Sequence, residues 1–283
     1  MQILTSIAEL RAWRKTAGHV ALVPTMGNLH EGHITLCRTA LAHTAPLGGQ
    51  TIASIFVNPI QFGPNEDLDK YPRTFEADCE KLQAAGVHAV FHPSVDTMYP
   101  YGEQTYFVEP PELQNRLCGE FRPGHFRGVA TVVTKLFNLV QPDTAVFGKK
   151  DYQQLKVLEG MVQQLNMPIT ILGQEIARAP DGLALSSRNG YLGAAERAEA
   201  PRLQQELQTI RSAIASGVRD YEALCTQARD RLAAHGWRTD YLLVANQRDL
   251  RPATPADRAL AVLVASWLGT TRLIDNIEIT LAA

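Results

Sequence analysis

Residues 20–36 read Val20-Ala-Leu-Val-Pro-Thr-Met-Gly-Asn-Leu-His-Glu-Gly-His-Ile-Thr-Leu36. The apolar run 20–23 reads as a short buried strand. A turn holding Pro24 and Gly27 ends it. Helical spacing of Ile34, Leu36, Cys37 and Leu41 then begins at Gly32. His30 and His33 therefore stand where a strand hands over to a helix N-terminus. Free backbone N–H groups and the positive end of the helix dipole favour a bound phosphate there. Two imidazoles can donate to phosphate oxygens, and Gly32 lets the backbone approach without a Cβ. Two other readings stand beside this one. The pair could ligate a metal, although no third ligand follows at a zinc-site spacing. They could also be ordinary loop histidines.

The chain's 283 residues suffice for about two domains. Hydrophobic residues make up 45%, enough for a packed core. A formal charge of −2 and a pI of about 6.5 create no global positive field for nucleic acid or anionic membrane. Local basic groups must hold any phosphate. Cys37, Cys79, Cys118 and Cys225 are scattered, with no C-x-x-C pair, which reads as buried or idle reduced thiols rather than a disulfide framework. The first residues lack a basic segment followed by an apolar one. The longest apolar run, 260–268, is far below the ~20 residues of a membrane span. A cytoplasmic protein with no nucleic-acid or membrane partner is the expectation.

β-like runs at 20–23, 51–57, 89–92, 145–147 and 169–172 alternate with helical patterns at 34–42, 75–85, 129–140 and 152–165. That alternation predicts a parallel sheet covered by helices. Polar loops follow three strand ends, at 24–31, 58–61 and 148–151. They should converge, because open α/β sheets bind ligands at the carboxyl ends of their strands. The turn signal Ala179-Pro-Asp-Gly182 marks a hinge. Beyond it lie helical patterns at 194–214 and 221–235 and β-like runs at 241–244, 261–266 and 272–279, an α+β second domain.

Three further segments carry chemistry. Gly148, Lys149 and Lys150 precede Asp151, a sound N-cap, at a helix start. Leu185, Ser186, Ser187 and Arg188 align hydroxyls, backbone N–H groups and a guanidinium fork suited to phosphate oxygens, although a polar loop would read the same way. Asn58 and Gln61 place two amides after a strand, able to hold a small hydroxylated or carboxylate substrate. Arg122–Gly128 is a Gly/Pro-bracketed basic loop, either a phosphate-contacting lid or a plain connection. No G-x-G-x-x-G, G-x-x-x-x-G-K-[ST] or G-x-S-x-G motif is present, which disfavours dinucleotide oxidoreductases, P-loop enzymes and serine hydrolases.

In these segments the chain resembles the pantoate–β-alanine ligases, a family of H-x-G-H nucleotidyltransferases. The resemblance is carried by 24–33 (P-T-M-G-N-L-H-E-G-H), 54–62 (S-I-F-V-N-P-I-Q-F), 71–74 (Y-P-R-T), 122–129 (R-P-G-H-F-R-G-V) and 137–143 (F-N-L-V-Q-P-D). It continues through 150–154 (K-D-Y-Q-Q), 181–189 (D-G-L-A-L-S-S-R-N), 266–269 (S-W-L-G) and 272–276 (R-L-I-D-N). It implies an α/β fold with a Rossmann-like parallel-sheet nucleotide-binding domain over 1–175 and a smaller α+β C-terminal lid domain over 181–283. The implied reaction is ATP- and Mg²⁺-dependent condensation of (R)-pantoate with β-alanine through a pantoyl-adenylate, releasing AMP and pyrophosphate, in a homodimer.

The resemblance also assigns roles. Residues 26–33, Met26 and Gly27 included, would contact ATP, with His33 a proton donor and His30 its partner. Gly148, Lys149, Lys150, Asp151, Ala177, Leu185, Ser186, Ser187 and Arg188 would line nucleotide and phosphates. His30, His33, Lys150 and Arg188 would carry the catalytic charge. Gln61 and Gln154 would bind pantoate, with Asn58 close by. Lys149 departs from the usual Gly-Glu-Lys-Asp, while Lys150 and Asp151 keep it. Metal ligands are not legible, as expected of an ion that keeps waters and leans on substrate phosphates. The competing readings are another H-x-G-H nucleotidyltransferase acting on a different small acceptor, and a non-catalytic nucleotide sensor or RNA-binding relative.

Overall fold

A computed structural model describes residues 1–282 other than 65, 67 and 111. The chain divides into two compact units, one of Met1–Lys149 with Val157–Glu175 and one of Lys150–Lys156 with Ile176–Ala283.

The first unit is built on six parallel strands: β1 (Gln2–Leu4), β2 (Val20–Thr25), β3 (Gln50–Ile55), β4 (Ala89–Phe91), β5 (Thr144–Gly148) and β6 (Thr170–Gln174). Their order is β1-β4-β3-β2-β5-β6. The helices are α1 (Ile7–Arg14), α2 (Glu31–Thr44), α3 (Phe75–Ala84), the one-turn α4 (Val95–Met98) and α5 (Cys118–Phe121), and α6 (His125–Val140). Helix α7 (Tyr152–Gln164) is shared, its residues through Lys156 clustering with the second unit. Val20, Ala21, Leu22 and Val23 are all fully buried, which explains the unbroken apolar run: a central parallel strand is covered on both faces. Each such aliphatic side chain contributes about 1.5–3 kcal/mol of burial.

The strand order reverses between β2 and its neighbours β3 and β5, the place where open sheets form a ligand crevice. Six residues of β2, Val20 to Thr25, pair with β3, but only Ala21 and Leu22 pair with β5. Pro24, which has no N–H to give a ladder, falls where β2 has run out of partner on the β5 side. The two carboxyl ends therefore separate, and the loops after β2 and β5 leave from the edges of that gap.

The second unit packs α8 (Ala194–Glu199), α9 (Arg202–Ala215) and α10 (Tyr221–Ala234) with the antiparallel sheet β7 (Trp237–Asn246), β8 (Ala259–Leu268) and β9 (Thr271–Thr280). Its core gathers Leu203, Leu207, Ile210, Leu232, Val262 and Val264. The single helix expected over 194–214 is two, interrupted at Ala200–Pro201. Proline cannot donate within a continuing helix, so it restarts one instead. Four further elements escape the periodicity: β1, α1 and the one-turn α4 and α5. The three-residue β1 shows no alternation of its own and is defined by pairing with β4.

Candidate active site

The loop after β2 is fixed by backbone hydrogen bonds rather than by bulk. Gly27 and Asn28 both adopt left-handed conformations, φ 85° and 49°. Thr25 Oγ1 donates to Ser54 O at 2.7 Å and accepts from Gly27 N at 3.2 Å. The fully buried Asp78 on α3 accepts from Asn28 N at 2.8 Å and Leu29 N at 2.7 Å. Lys81 Nζ, one turn further, donates to Leu29 O at 2.7 Å. An acidic side chain in the first turn of α3 thus orders the backbone immediately before His30.

His30 is the N-cap of α2, which begins at Glu31, one residue before the expected start at Gly32. Its Nδ1 accepts from Gly32 N at 3.1 Å, and His33 Nδ1 accepts from His30 N at 3.3 Å. The pair forms a reciprocal capping box in which two imidazoles replace the usual hydroxyl and carboxylate. A backbone N–H can only donate, so both Nδ1 atoms are unprotonated and Nε2 carries the proton in each neutral ring. The ring centroids lie 4.1 Å apart. Two of the backbone N–H groups at the start of the helix are therefore taken by the histidines themselves.

A second network surrounds the turn after β3. Asn58 and Gln61 are buried. Asn58 Nδ2 donates to Gln61 Oε1 at 3.0 Å and to Gly128 O at 3.3 Å, and its Oδ1 accepts from Tyr99 Oη at 2.6 Å. The Gly128 carbonyl can only accept, which fixes the orientation of the Asn58 amide. Gln61 Oε1 is thereby occupied, and Nε2 lies 3.1 Å from Met26 Sδ. Gly128 in α6 is required: a Cβ there would stand 2.4 Å from Ile60 O. His125 Nδ1 donates to Gln61 O at 2.9 Å, while its Nε2 accepts from Arg122 at 2.9 Å. Arg122 in turn forks onto Glu66 at 2.7 and 2.6 Å. The segment Arg122–Gly128 thus braces the Gln61 turn.

In the first unit Lys149 pairs with Glu175, which accounts for a cation at that position. In the second unit, Lys150 and Asp151 belong to a 3₁₀ turn that leads into α7, with Nζ 4.0 Å from the Asp151 carboxylate. Gln154 is half-buried in the first turn of α7. Leu185 N donates to Ala177 O at 2.9 Å, closing a hairpin whose tip is Ala179–Gly182, with Gly182 at φ 96°. Ser186 then caps the 3₁₀ helix Ser187–Tyr191, its Oγ accepting from Arg188 N at 3.2 Å.

Comparison with known proteins places the whole chain in one family. The pantoate-beta-alanine ligase family profile matches residues 2–278. The chain belongs to that family. It is therefore a ligase by family. Pantothenate synthetase of Chromobacterium violaceum is 58% identical over 99% of both chains, and that of Neisseria meningitidis serogroup C is 56% identical over 99% of this chain and all of the relative. The crystal structure of pantothenate synthetase from Thermus thermophilus superposes with a TM-score of 0.91 at 41% identity, covering 99% of this chain and 100% of that one. The pantoate-beta-alanine ligase of Francisella tularensis, solved in complex with beta-gamma ATP and beta-alanine, aligns at TM-score 0.80 and 31% identity over 98% of this chain and 97% of that one.

Within this pantoate–β-alanine ligase, several ordering residues carry no signal readable from local sequence. Asp78, Tyr99 and His125 act on partners 49, 41 and 64 positions away. Of these, His125 alone lies in a segment that the sequence motifs single out, and its buried ring donates to the Gln61 carbonyl. No helix among the described residues is long and apolar enough to cross a membrane.

Proposed function

We propose that this ligase activates (R)-pantoate with ATP to a pantoyl-adenylate and then transfers the pantoyl group to β-alanine. A carboxylate is a poor electrophile, and adenylation supplies a leaving group. One pantoate carboxylate oxygen attacks the α-phosphorus, and the α–β phosphoanhydride bond breaks to release pyrophosphate. The β-alanine amine then attacks the activated carbonyl, forms the amide and expels AMP, losing a proton. The observation that carries this reading is the full-length likeness to a ligase bound to an ATP analogue and β-alanine, joined to a family match over residues 2–278. A nucleotidyltransferase with another acceptor is not favoured.

In this reading Gln61, braced by Asn58, and Gln154 hold pantoate, a positioning contribution that can reach roughly 7–11 kcal/mol. His30 and His33 donate from Nε2 to phosphate oxygens, with His33 following the departing pyrophosphate. Lys150, Ser186, Ser187 and Arg188 neutralise charge that builds on the phosphates, and Met26, Gly27, Gly148, Lys149, Asp151, Ala177 and Leu185 complete the nucleotide contacts. Among the described residues no three His, Cys, Asp or Glu side chains stand together as a metal cage. That suits Mg²⁺ delivered on ATP, with phosphates and water as its ligands. The enzyme works in the cytoplasm as a homodimer. The deciding assay is β-alanine-dependent AMP formation from ATP and pantoate. AMP formed equally well with an unrelated acceptor in place of pantoate would refute the substrate assignment.

A further inference from the structure

The segment 272–276, R-L-I-D-N, has no role in the chemistry described so far. It lies on β9, and two of its residues, Asp275 and Asn276, are buried polar groups, each only 4% exposed. Burying such groups costs free energy unless they are bonded, and their bonds are specific. Asn276 Nδ2 donates to Lys150 O at 3.1 Å. Asp275 receives both arms of Arg178, at 2.7 and 2.8 Å, and the Asn276 backbone N–H at 2.7 Å. The same guanidinium donates to Gly182 O at 3.0 Å and to Asn276 O at 3.3 Å.

Arg178 and Gly182 belong to the hairpin that delivers Leu185 to Arg188, since Arg178 bridges Ala184 and Leu185 N bonds Ala177 O. The Lys150 segment and the hairpin carrying Ser186 to Arg188 are therefore tied to adjacent residues of one strand. The ties differ in kind. One is a neutral carboxamide on a peptide carbonyl. The other is a planar, two-pronged ion pair, which fixes direction as well as distance.

We propose that Asp275 and Asn276 are positioning residues for the phosphate-binding groups. Asn276 sets the peptide that carries Lys150, and Asp275, through Arg178, sets the hairpin that carries Ser186, Ser187 and Arg188. The proposal rests on reading Lys150 and Arg188 as ligands of the ATP phosphates. In this proposal Asp275 and Asn276 act through those groups and not on substrate. Their effect is to hold the cations at a set place before ATP arrives, where a displacement of about 1 Å can cost on the order of 10²-fold in rate. Strand β9 is well suited to this, because its ladder with β8 runs unbroken from Thr271 to Thr280.

The test is steady-state kinetics of amine-independent pyrophosphate exchange in Asn276→Ala, Asn276→Asp and Arg178→Lys, with Lys150→Ala as reference. Melting temperatures are followed in parallel. Asn276→Ala and Arg178→Lys should each lower kcat at least about tenfold, with KM for pantoate within about twofold. Asn276→Asp is nearly isosteric and turns an oxygen toward the Lys150 carbonyl, so it should lose at least as much while keeping its place in the strand. The decisive comparison is the double variant Lys150→Ala/Asn276→Ala. If Asn276 acts through Lys150, the second substitution adds no further loss to the first. Additive losses, or full turnover in folded Asn276→Ala and Asn276→Asp, overturn the proposal. A normal Lys150→Ala enzyme overturns the reading of Lys150 itself, and is told apart because in every other outcome that variant is crippled.

Discussion

The Tyr99 hydroxyl donates to Asn58 Oδ1 across 2.6 Å, and through that amide it fixes the orientation of the Gln61 side chain. Burial pushes the Tyr99 phenol well above its usual range, so it remains a donor at any working pH. Tyr99→Phe keeps the ring and removes only the donor, leaving Asn58 Oδ1 unpaired in the interior. KM for pantoate should rise about fivefold or more, equivalent to roughly 1 kcal/mol, with KM for ATP little changed. An unaltered pantoate KM would show that Gly128 O alone holds the amide.

The same polarity makes a sharper claim about Gln61. Its Oε1 accepts from Asn58, so in the proposed reading its amino end is the group that meets pantoate. Gln61→Glu preserves shape and replaces that donor with an anionic acceptor. Pantoate binding measured by calorimetry should weaken by at least about tenfold, the scale of losing one bond to a charged partner and gaining repulsion. Binding as tight as wild type would mean that Gln61 offers its oxygen instead.

Gly128 allows α6 to approach the turn at Pro59–Gln61. A methyl group at that position meets Ile60 O at 2.4 Å and Gln61 Cα at 2.7 Å. Gly128→Ala should destabilise the fold by about 1–3 kcal/mol, the range for overpacking, and raise KM for pantoate more than KM for ATP. Chemical denaturation and kinetics on the same preparation test both halves. An equal rise in the two KM values would argue against a local displacement of Gln61.

Acid should act on the Glu66–Arg122 pair. Burial raises the Glu66 pKa, but the hydrogen bond and charge of Arg122 lower it more, so its net position is below the ordinary carboxylate value. A group with a depressed folded pKa contributes stability that is fully present above its unfolded pKa and is lost as pH falls through the folded one. The melting-temperature gap between wild type and Glu66→Gln should therefore be constant from pH 8 to about pH 5 and narrow progressively as the pH falls below the ordinary carboxylate range. A gap that does not narrow at all as the pH falls through the acid range would mean that the pair's charge contributes nothing.

Thiol chemistry gives an independent check on packing. Burial pushes Cys37 up to about 12 and Cys225 to about 11. At pH 8 the reactive thiolate of Cys37 is then about one part in 10⁴. Alkylation followed by mass spectrometry should leave Cys37 and Cys225 unmodified in native protein and modify all four cysteines in denaturant. Rapid native labelling of Cys37 would contradict its burial on the inner face of α2.

The sequence by itself determined the parts of this protein that depend on near neighbours. The runs 20–23, 51–57 and 145–147 declare themselves as strands, observed as Val20–Thr25, Gln50–Ile55 and Thr144–Gly148, because central parallel strands are apolar on both faces. His30 and His33 are legible because a strand, a glycine turn and a helix start lie within a few residues. The order of motifs from 24 to 276 was enough to suggest the family. What only tertiary structure decided is orientation. Whether Nδ1 or Nε2 of His30 and His33 carries the proton follows from which backbone N–H each ring meets. Which way the Asn58 and Gln61 amides are turned follows from Tyr99 and Gly128, and the peptide of Lys150 is held by Asn276, 126 positions later. Local sequence encodes period and propensity, which act over a turn or two. Hydrogen-bond polarity in a buried network is set by whichever donors and acceptors the folded chain brings within about 3 Å of one another.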